Sequence, residues 1–364
     1  MENITFASGA SYFRSPGAAT AAAIAALQEG KTYYGPTEGT LPLRQAIADR
    51  YPDLQPEQVL VTPGSKQALH NLFTVLLRDG DEVVVPTPAW FGFHELLKYS
   101  KGTAVTLPTS LEEEYALTPA MLRQTLNSRS RILLLTNPGN PTGRLYSQAE
   151  LEALLEVVEN FSELYVIADE IYDFVTYGQS FTSLLSCQRA PKERSFVVNG
   201  FSKSFAMSGW RLGYLAGPAA IVAQCLDFQA STLAGVSMLL QDGALAALQN
   251  WPQDLPPMLA VLQEHRTLMQ QGLDAIPHVR YYLPEGAYYF FPDLSFYLHR
   301  ETPAGEVISS SIDLCHFLRE QFSLDLAPGD YFGAPGHARM SFAIEKPQLQ
   351  EGLQRLKQAL ATLV

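Results

Sequence analysis

Four short stretches place reactive side chains where an apolar run gives way to a turn. In NGFSKSFAMSGWRLGY (199–214), Lys203 stands between Ser202 and Ser204, and Arg211 follows eight residues later. ADEIY (168–172) sets Asp169 and Tyr172 directly after an apolar run. TNPGNPTG (136–143) carries Asn140, and TPGSK (62–66) brings Ser65 and Lys66 to the start of a helical pattern. Each stretch alone has an ordinary reading: a surface lysine, a helix-capping aspartate, a Pro-Gly turn, a helix N-cap. A Gly-Ser pair opening a helix also offers free N–H groups and a hydroxyl, which suit a phosphate.

The elements between these stretches explain how they could meet. EVVVP (82–86), RILLLT (131–136), LYVIA (164–168), SFVVN (195–199) and LGYLA (212–216) are continuous apolar runs of strand length. Between them, residues 66–79 and 147–160 repeat apolar positions at three- and four-residue spacing, the period of a helix. Such alternation predicts an α/β fold: a large domain with a mostly parallel, seven-stranded-type sheet covered by helices on both faces. Beyond about residue 253 a long helix (254–273), the strand-like AYYFF, a helix near 310–321, the strand ARMSFAI and a final helix predict a smaller α+β domain. The expected division is residues 31–255 for the large domain, with 1–30 and 256–364 forming the small one. The stretch 231–248 reads as a buried helix, and 20–30 as a helix ending at Gly30.

Ligands of open parallel sheets sit beyond the carboxyl ends of the strands, so these turns are expected to converge on one crevice. A phosphate cradle, an asparagine, an aspartate, a lysine and an arginine would then share it. Nucleotide signatures of the G-x-G-x-x-G or G-x-x-x-x-G-K-[ST] type are missing, and serine replaces the second glycine of G-x-S-x-G at Ser204. The set matches the needs of pyridoxal 5′-phosphate (PLP): an amine for covalent attachment, a carboxylate for the ring nitrogen, amide or hydroxyl partners for the ring oxygen, and cationic phosphate contacts.

With these residues in place the chain resembles the class I/II aminotransferases of PLP fold type I, from about Gly9 to the C-terminal helix. The resemblance implies that Lys203 carries the cofactor and shuttles the substrate proton, and that Asp169 meets the ring nitrogen. Tyr172 and Asn140 would meet the ring oxygen, and Trp90, in PTPAW, would stack on the ring. It further implies Ser65, Ser202, Arg211 and the backbone around Lys66 as phosphate ligands, with Tyr34 reaching the phosphate from the neighbouring subunit of a homodimer with shared active sites. Arg339, in ARMSFAI, would clamp the substrate α-carboxylate, with Gly9 and Asn140 nearby. Lys66 would meet either the cofactor phosphate or the distal carboxylate of an acidic donor. The N-terminal arm of the family is expected to be short, since SGASYF begins at Ser8.

The implied reaction moves an amino group from an L-amino acid, aspartate or glutamate if Lys66 takes the distal carboxylate, to a 2-oxo acid such as 2-oxoglutarate. Two alternatives stay open: a lyase using the same lysine, and an aromatic or methionine-like specificity with apolar walls at Tyr12 and Phe13. Tyr281, Tyr282, Tyr288 and Tyr289 read as core or sheet-face residues, and the seven histidines as packing or surface residues. Acidic residues outnumber basic ones by 37 to 25, giving a net charge of −12 and no basic stripe for nucleic acid or an anionic membrane. Cys187, Cys225 and Cys315 follow neither a disulfide nor a zinc spacing. No signal peptide is legible, and a soluble cytoplasmic protein is expected.

Overall fold

The computed structural model describes residues 2–363. The chain opens with β1 (Ile4–Thr5), α1 (Gly17–Gln28) and α2 (Leu41–Ala48), then alternates: β2 (Val59–Thr62), α3 (Ser65–Leu76), β3 (Glu82–Thr87), α4 (Gly92–Leu97), β4 (Thr103–Pro108), α5 (Pro119–Thr125), β5 (Ser130–Thr136), α6 (Gln148–Val158), β6 (Tyr165–Asp169). After β7 (Ser195–Gly200) and β8 (Gly213–Ala216) come α7 (Ala219–Thr232) and the long α8 (Met238–Asp274). The remainder is β9 (Tyr289–Phe290), α9 (Ser311–Phe322), β10 (Leu324–Asp325), β11 (Ala327–Pro328), β12 (Ala338–Ser341) and α10 (Lys346–Ala361).

Seven strands form the main sheet in the order β2-β8-β7-β6-β5-β3-β4, as the alternating pattern predicted. Neighbours from β7 to β4 run parallel, and β8 runs antiparallel to both β7 and β2. The link from β7 to β8 contains only turns and a short 3-10 segment, too little for the helical crossover that a parallel neighbour requires. Alternate residues serve opposite faces. Leu133 and Leu135 of β5 join one core with Leu151 and Leu155 of α6, while Ile132 and Leu134 join another with Leu69 and Phe73 of α3.

A second unit packs around Tyr288–Phe290, Phe342, Leu318 and Leu356, and Ile4 and Phe6 enter its core. Ala19 of α1 lies instead in the core under the main sheet. This part of the first thirty residues therefore joins the larger unit, because α1 rests on the N-terminal half of α8 and not on the second core. The helices expected at 231–248 and 254–273 prove to be one continuous element from Met238 across Pro252, Pro256 and Pro257. Prolines remove backbone bonds and normally break a helix. Here Leu248 and Leu255 are buried in the first core and Leu262 and Met269 in the second, so packing on both sides of the prolines holds the helix together.

Register brings the functional turns to one edge. Asp169, the last residue of β6, pairs with Thr136 of β5 on one side and Val198 of β7 on the other. The three strands therefore deliver 137–143, 170–174 and 201–206 side by side. Among the described residues no helix is long and apolar enough to cross a membrane, and no cluster of metal-ligating side chains occurs.

Candidate active site

A cleft of about 630 Å³ opens at that edge, between the sheet and the second unit. Nine of the residues singled out in the sequence line it: Asp169, Tyr172, Ser202 and Lys203 from the ends of β6 and β7, Asn140 from the β5 turn, Ser65 and Trp90 from the strands beyond, and Gly9 and Arg339 from the opposite wall.

Asp169 is 5% exposed, and its carboxylate accepts one long hydrogen bond, from the Ile171 N–H at 3.3 Å. Burial raises its pKa to about 7, opposed by that N–H and by the Lys203 ammonium. A buried carboxyl so sparsely bonded is suited to a cationic partner such as a protonated ring nitrogen. Tyr172 is fully buried and shares a 2.7 Å hydrogen bond with the hydroxyl of Tyr289. Burial followed by the neighbouring tyrosines pushes its pKa well above the usual phenol range, so it stays a neutral donor.

The Lys203 ammonium donates to the Gly9 carbonyl, which also receives the hydroxyls of Tyr288 at 2.9 Å and Tyr289 at 3.3 Å. Gly9 lies against the same groups: a Cβ there would touch both Lys203 Nζ and the Tyr289 hydroxyl at an ordinary contact distance of 3.5 Å. Arg339, on β12, donates through Nη2 to the Ala7 carbonyl at 2.7 Å and through Nη1 to Asn140 Oδ1 at 3.1 Å. Its Nε is buried without a partner, and its guanidinium lies 4.4 Å over the Tyr289 ring. An arginine fixed on two sides with an open N–H is arranged to receive a carboxylate.

At the start of α3, Gly64 occupies φ 90°, ψ 161°, a conformation open in practice to glycine alone. No side chain caps the helix there; the Gln67 and Ala68 N–H groups donate to the Gly64 carbonyl, and those of Ser65 and Lys66 remain available. The Arg211 guanidinium fills the space beside it, with Nη2 only 2.6 Å from where a Gly64 Cβ would stand. Serine hydroxyls, open N–H groups and an arginine make a cradle for a phosphate.

Three of the expected residues do not line the cleft. Arg211 stands exposed beside Gly64 and donates to the Ser208 carbonyl at 2.8 Å, and the Lys66 ammonium lies 5.1 Å from the centre of the Trp90 ring. Tyr34 is 91% exposed on the surface of the chain. Two expectations are corrected. Tyr12 and Phe13 form no wall of the cleft: Tyr12 stacks near His265 and Phe13 borders a separate small cavity, because the Tyr12 N–H donates to the Ala343 carbonyl at 3.0 Å and Phe13 packs against the second core. Tyr289 belongs to the cleft as well as to the core, since only its ring is needed for packing and its hydroxyl faces Tyr172. The helix expected near 310–321, which is α9, was given no part in the site, although its Ile312, Asp313, His316 and Arg319 line the cleft. The strand-end rule covers one wall only, and nothing in the sequence of α9 marks it as the other.

Fold and site together define an enzyme of PLP fold type I. The chain matches the family described as aminotransferase class I and II over residues 2–356, and it belongs to that family of PLP-dependent transaminases. It is 36% identical to a bifunctional aspartate aminotransferase and glutamate/aspartate-prephenate aminotransferase from Petunia hybrida, over 99% of this chain and 77% of that one. The aspartate aminotransferase of Rhizobium meliloti superposes with a TM-score of 0.95 at 32% identity, covering 100% of this chain and 92% of the other. The Thermus thermophilus aspartate aminotransferase solved with maleate superposes at 0.91 and 30% identity, covering 98% and 92%. The enzyme transfers an amino group between an amino acid and a 2-oxo acid.

Proposed function

We propose that this enzyme takes its amino group from a dicarboxylic donor, aspartate or glutamate, and passes it to a 2-oxo acid such as 2-oxoglutarate, with PLP held on Lys203. Bound PLP supplies the electron sink for loss of the substrate Cα proton. Asp169 would keep the ring nitrogen protonated, and Tyr172 and Asn140 would donate to the ring oxygen. Trp90 would cover the ring, and Ser65, Ser202, Arg211 and the first turn of α3 would hold the phosphate. Arg339 would grip the α-carboxylate and turn the Cα–H bond toward Lys203, whose amine, released when the substrate amine takes its place on the cofactor, would take the proton. The observation that carries this reading is the meeting of Lys203, the sparsely bonded Asp169 and the half-satisfied Arg339 in one cleft.

The choice of an acidic donor rests on the Lys66 ammonium near the Trp90 ring, where it can reach a second carboxylate while Arg339 holds the first. The names of the relatives, and the dicarboxylate maleate in the Thermus thermophilus structure, support the same choice. We further propose a homodimer in which Tyr34 reaches the partner's phosphate; Tyr34 and its neighbour Tyr33, 65% exposed, offer apolar surface for that contact. Three buried, unpaired cysteines fit a reducing cytoplasm.

A panel of amino acids tests the reading. Aspartate or glutamate should convert the enzyme-bound cofactor to its amine form, and a 2-oxo acid should restore it. Ammonia released without any 2-oxo acid would identify a lyase instead. Conversion by aromatic or methionine-like donors alone would overturn the acidic assignment.

A further inference from the structure

Tyr172 and Lys203 both sit on turns, outside any helix or strand, and something must hold those turns in register. The side chain that joins them is Asp173, buried beneath the cleft and not part of its lining. One oxygen, Oδ1, accepts from the Phe174 N–H at 3.0 Å in its own turn and from the Ser204 hydroxyl at 2.9 Å in the turn that carries Lys203. The other, Oδ2, accepts from Asn199 Nδ2 at 2.8 Å, at the end of β7, and from Arg50 Nη2 just beyond α2. Four donors occupy the four sites that a carboxylate offers. Arg50 is itself fixed, with Nη1 donating to the Tyr214 hydroxyl at 2.8 Å and its guanidinium 4.8 Å over the Phe174 ring. Ser204 is completely buried and Asn199 nearly so, so neither of these two donors is free to turn to water.

We infer that Asp173 is a positioning residue: its carboxylate staples the Tyr172 turn to the Lys203 turn, through Ser204 and Asn199, and so sets where the phenol and the amine stand against the cofactor. Each stapled residue is a direct chain neighbour of a catalytic one, Asp173 of Tyr172 and Ser204 of Lys203. A small displacement at the staple is therefore passed on undamped. The inference rests on the reading that Lys203 carries PLP.

Asp173→Asn and Ser204→Ala, singly and together, test it in the cofactor-loaded enzyme. An asparagine must turn its amide nitrogen toward one pair of donors, and an alanine at 204 removes the bond to Asp173, along with the longer contacts to the Ile171 carbonyl at 3.3 Å and the Phe174 N–H at 3.4 Å, while leaving the Arg50–Asp173 pair intact. Asp173→Asn should shift the midpoint of the pH titration of the cofactor's absorbance band, and Ser204→Ala should shift it less in the same direction. kcat should fall about ten- to a hundredfold in Asp173→Asn with a much smaller change in KM, as a misplacement on the ångström scale produces. The double variant should lose less than the two single losses combined, because the hydroxyl acts through the side chain at 173. A wild-type titration midpoint and kcat in folded variants that merely melt earlier would reduce the network to a structural role and overturn the inference. Additive losses in the double variant would do the same. If Asp173→Asn does not fold, Ser204→Ala decides by its titration midpoint. Borohydride labelling of Lys203 in the unaltered enzyme separates failure of this inference from failure of the PLP reading.

Discussion

Replacing Gly64 by alanine should weaken PLP binding through a collision that can be located in advance. The added Cβ would stand 2.6 Å from Arg211 Nη2 and 3.3 Å from Cζ, inside ordinary contact, so the flexible guanidinium has to shift from its place beside Gly64 and away from a phosphate held there. Losing one charge-assisted hydrogen bond to the phosphate costs about 1.5–3 kcal/mol, or roughly a ten- to hundredfold rise in the dissociation constant. The backbone adds a separate effect, because φ 90°, ψ 161° strains any residue with a Cβ by about 1–3 kcal/mol. Strain falls on the folded state with and without the cofactor, so it lowers the melting temperature and leaves the affinity alone. Gly80→Ala provides the control: its φ is +92°, yet nothing lies within 4 Å of an added Cβ. Both variants should melt earlier, and only Gly64→Ala should bind PLP weakly when the cofactor-free proteins are titrated spectroscopically. Affinity within threefold of the unaltered enzyme in Gly64→Ala would refute the placement of Arg211 in the phosphate cradle.

Three further outcomes are expected. Lys66→Met should cut kcat/KM for aspartate and glutamate by about 1–3 kcal/mol and leave aromatic or aliphatic donors nearly unchanged; equal losses for all donors would assign Lys66 to the cofactor. Burial holds Asp169 near pH 7, so in the cofactor-free protein its contribution to stability is complete below about pH 4 and is lost as pH rises through 7. Melting curves should therefore show cofactor-free Asp169→Asn gaining on the unaltered protein between pH 5 and pH 8 while binding PLP less well, and a pH-independent gap would contradict this. Tyr289→Phe removes the 2.7 Å bond to Tyr172 and the 3.3 Å bond to Gly9 while keeping the packed ring. It should lower kcat/KM by about 1–2 kcal/mol with little change in melting temperature, and unchanged kinetics would return Tyr289 to a packing role.

What could be read from the sequence was whatever lies local to a strand end. Asp169, Asn140, Ser202 and Lys203 follow apolar runs directly, and a parallel sheet has to bring such ends to one edge. Composition is poorer at telling a residue's second task. Tyr289 alternates correctly for a strand and satisfies a core reading, while its hydroxyl finds Tyr172, 117 residues away in the chain. Tyr12 and Phe13 failed for the converse reason: their closeness to Gly9 in sequence says nothing of a segment held against the second unit, where the Tyr12 N–H donates to the Ala343 carbonyl and Phe13 packs on the core. A break was expected near residue 253, between helices at 231–248 and 254–273, yet two cores hold α8 continuous across Pro252, Pro256 and Pro257 against their local preference. The reversed direction of β8 was hidden because a buried strand is apolar whichever way it runs.

The most direct test of the account is covalent. Reduction of the PLP-loaded enzyme with borohydride, followed by proteolysis and peptide mapping, should place the cofactor on the peptide containing Lys203, in SKSF, and on no other. A label on a different lysine, or no stable label at all, would contradict the account.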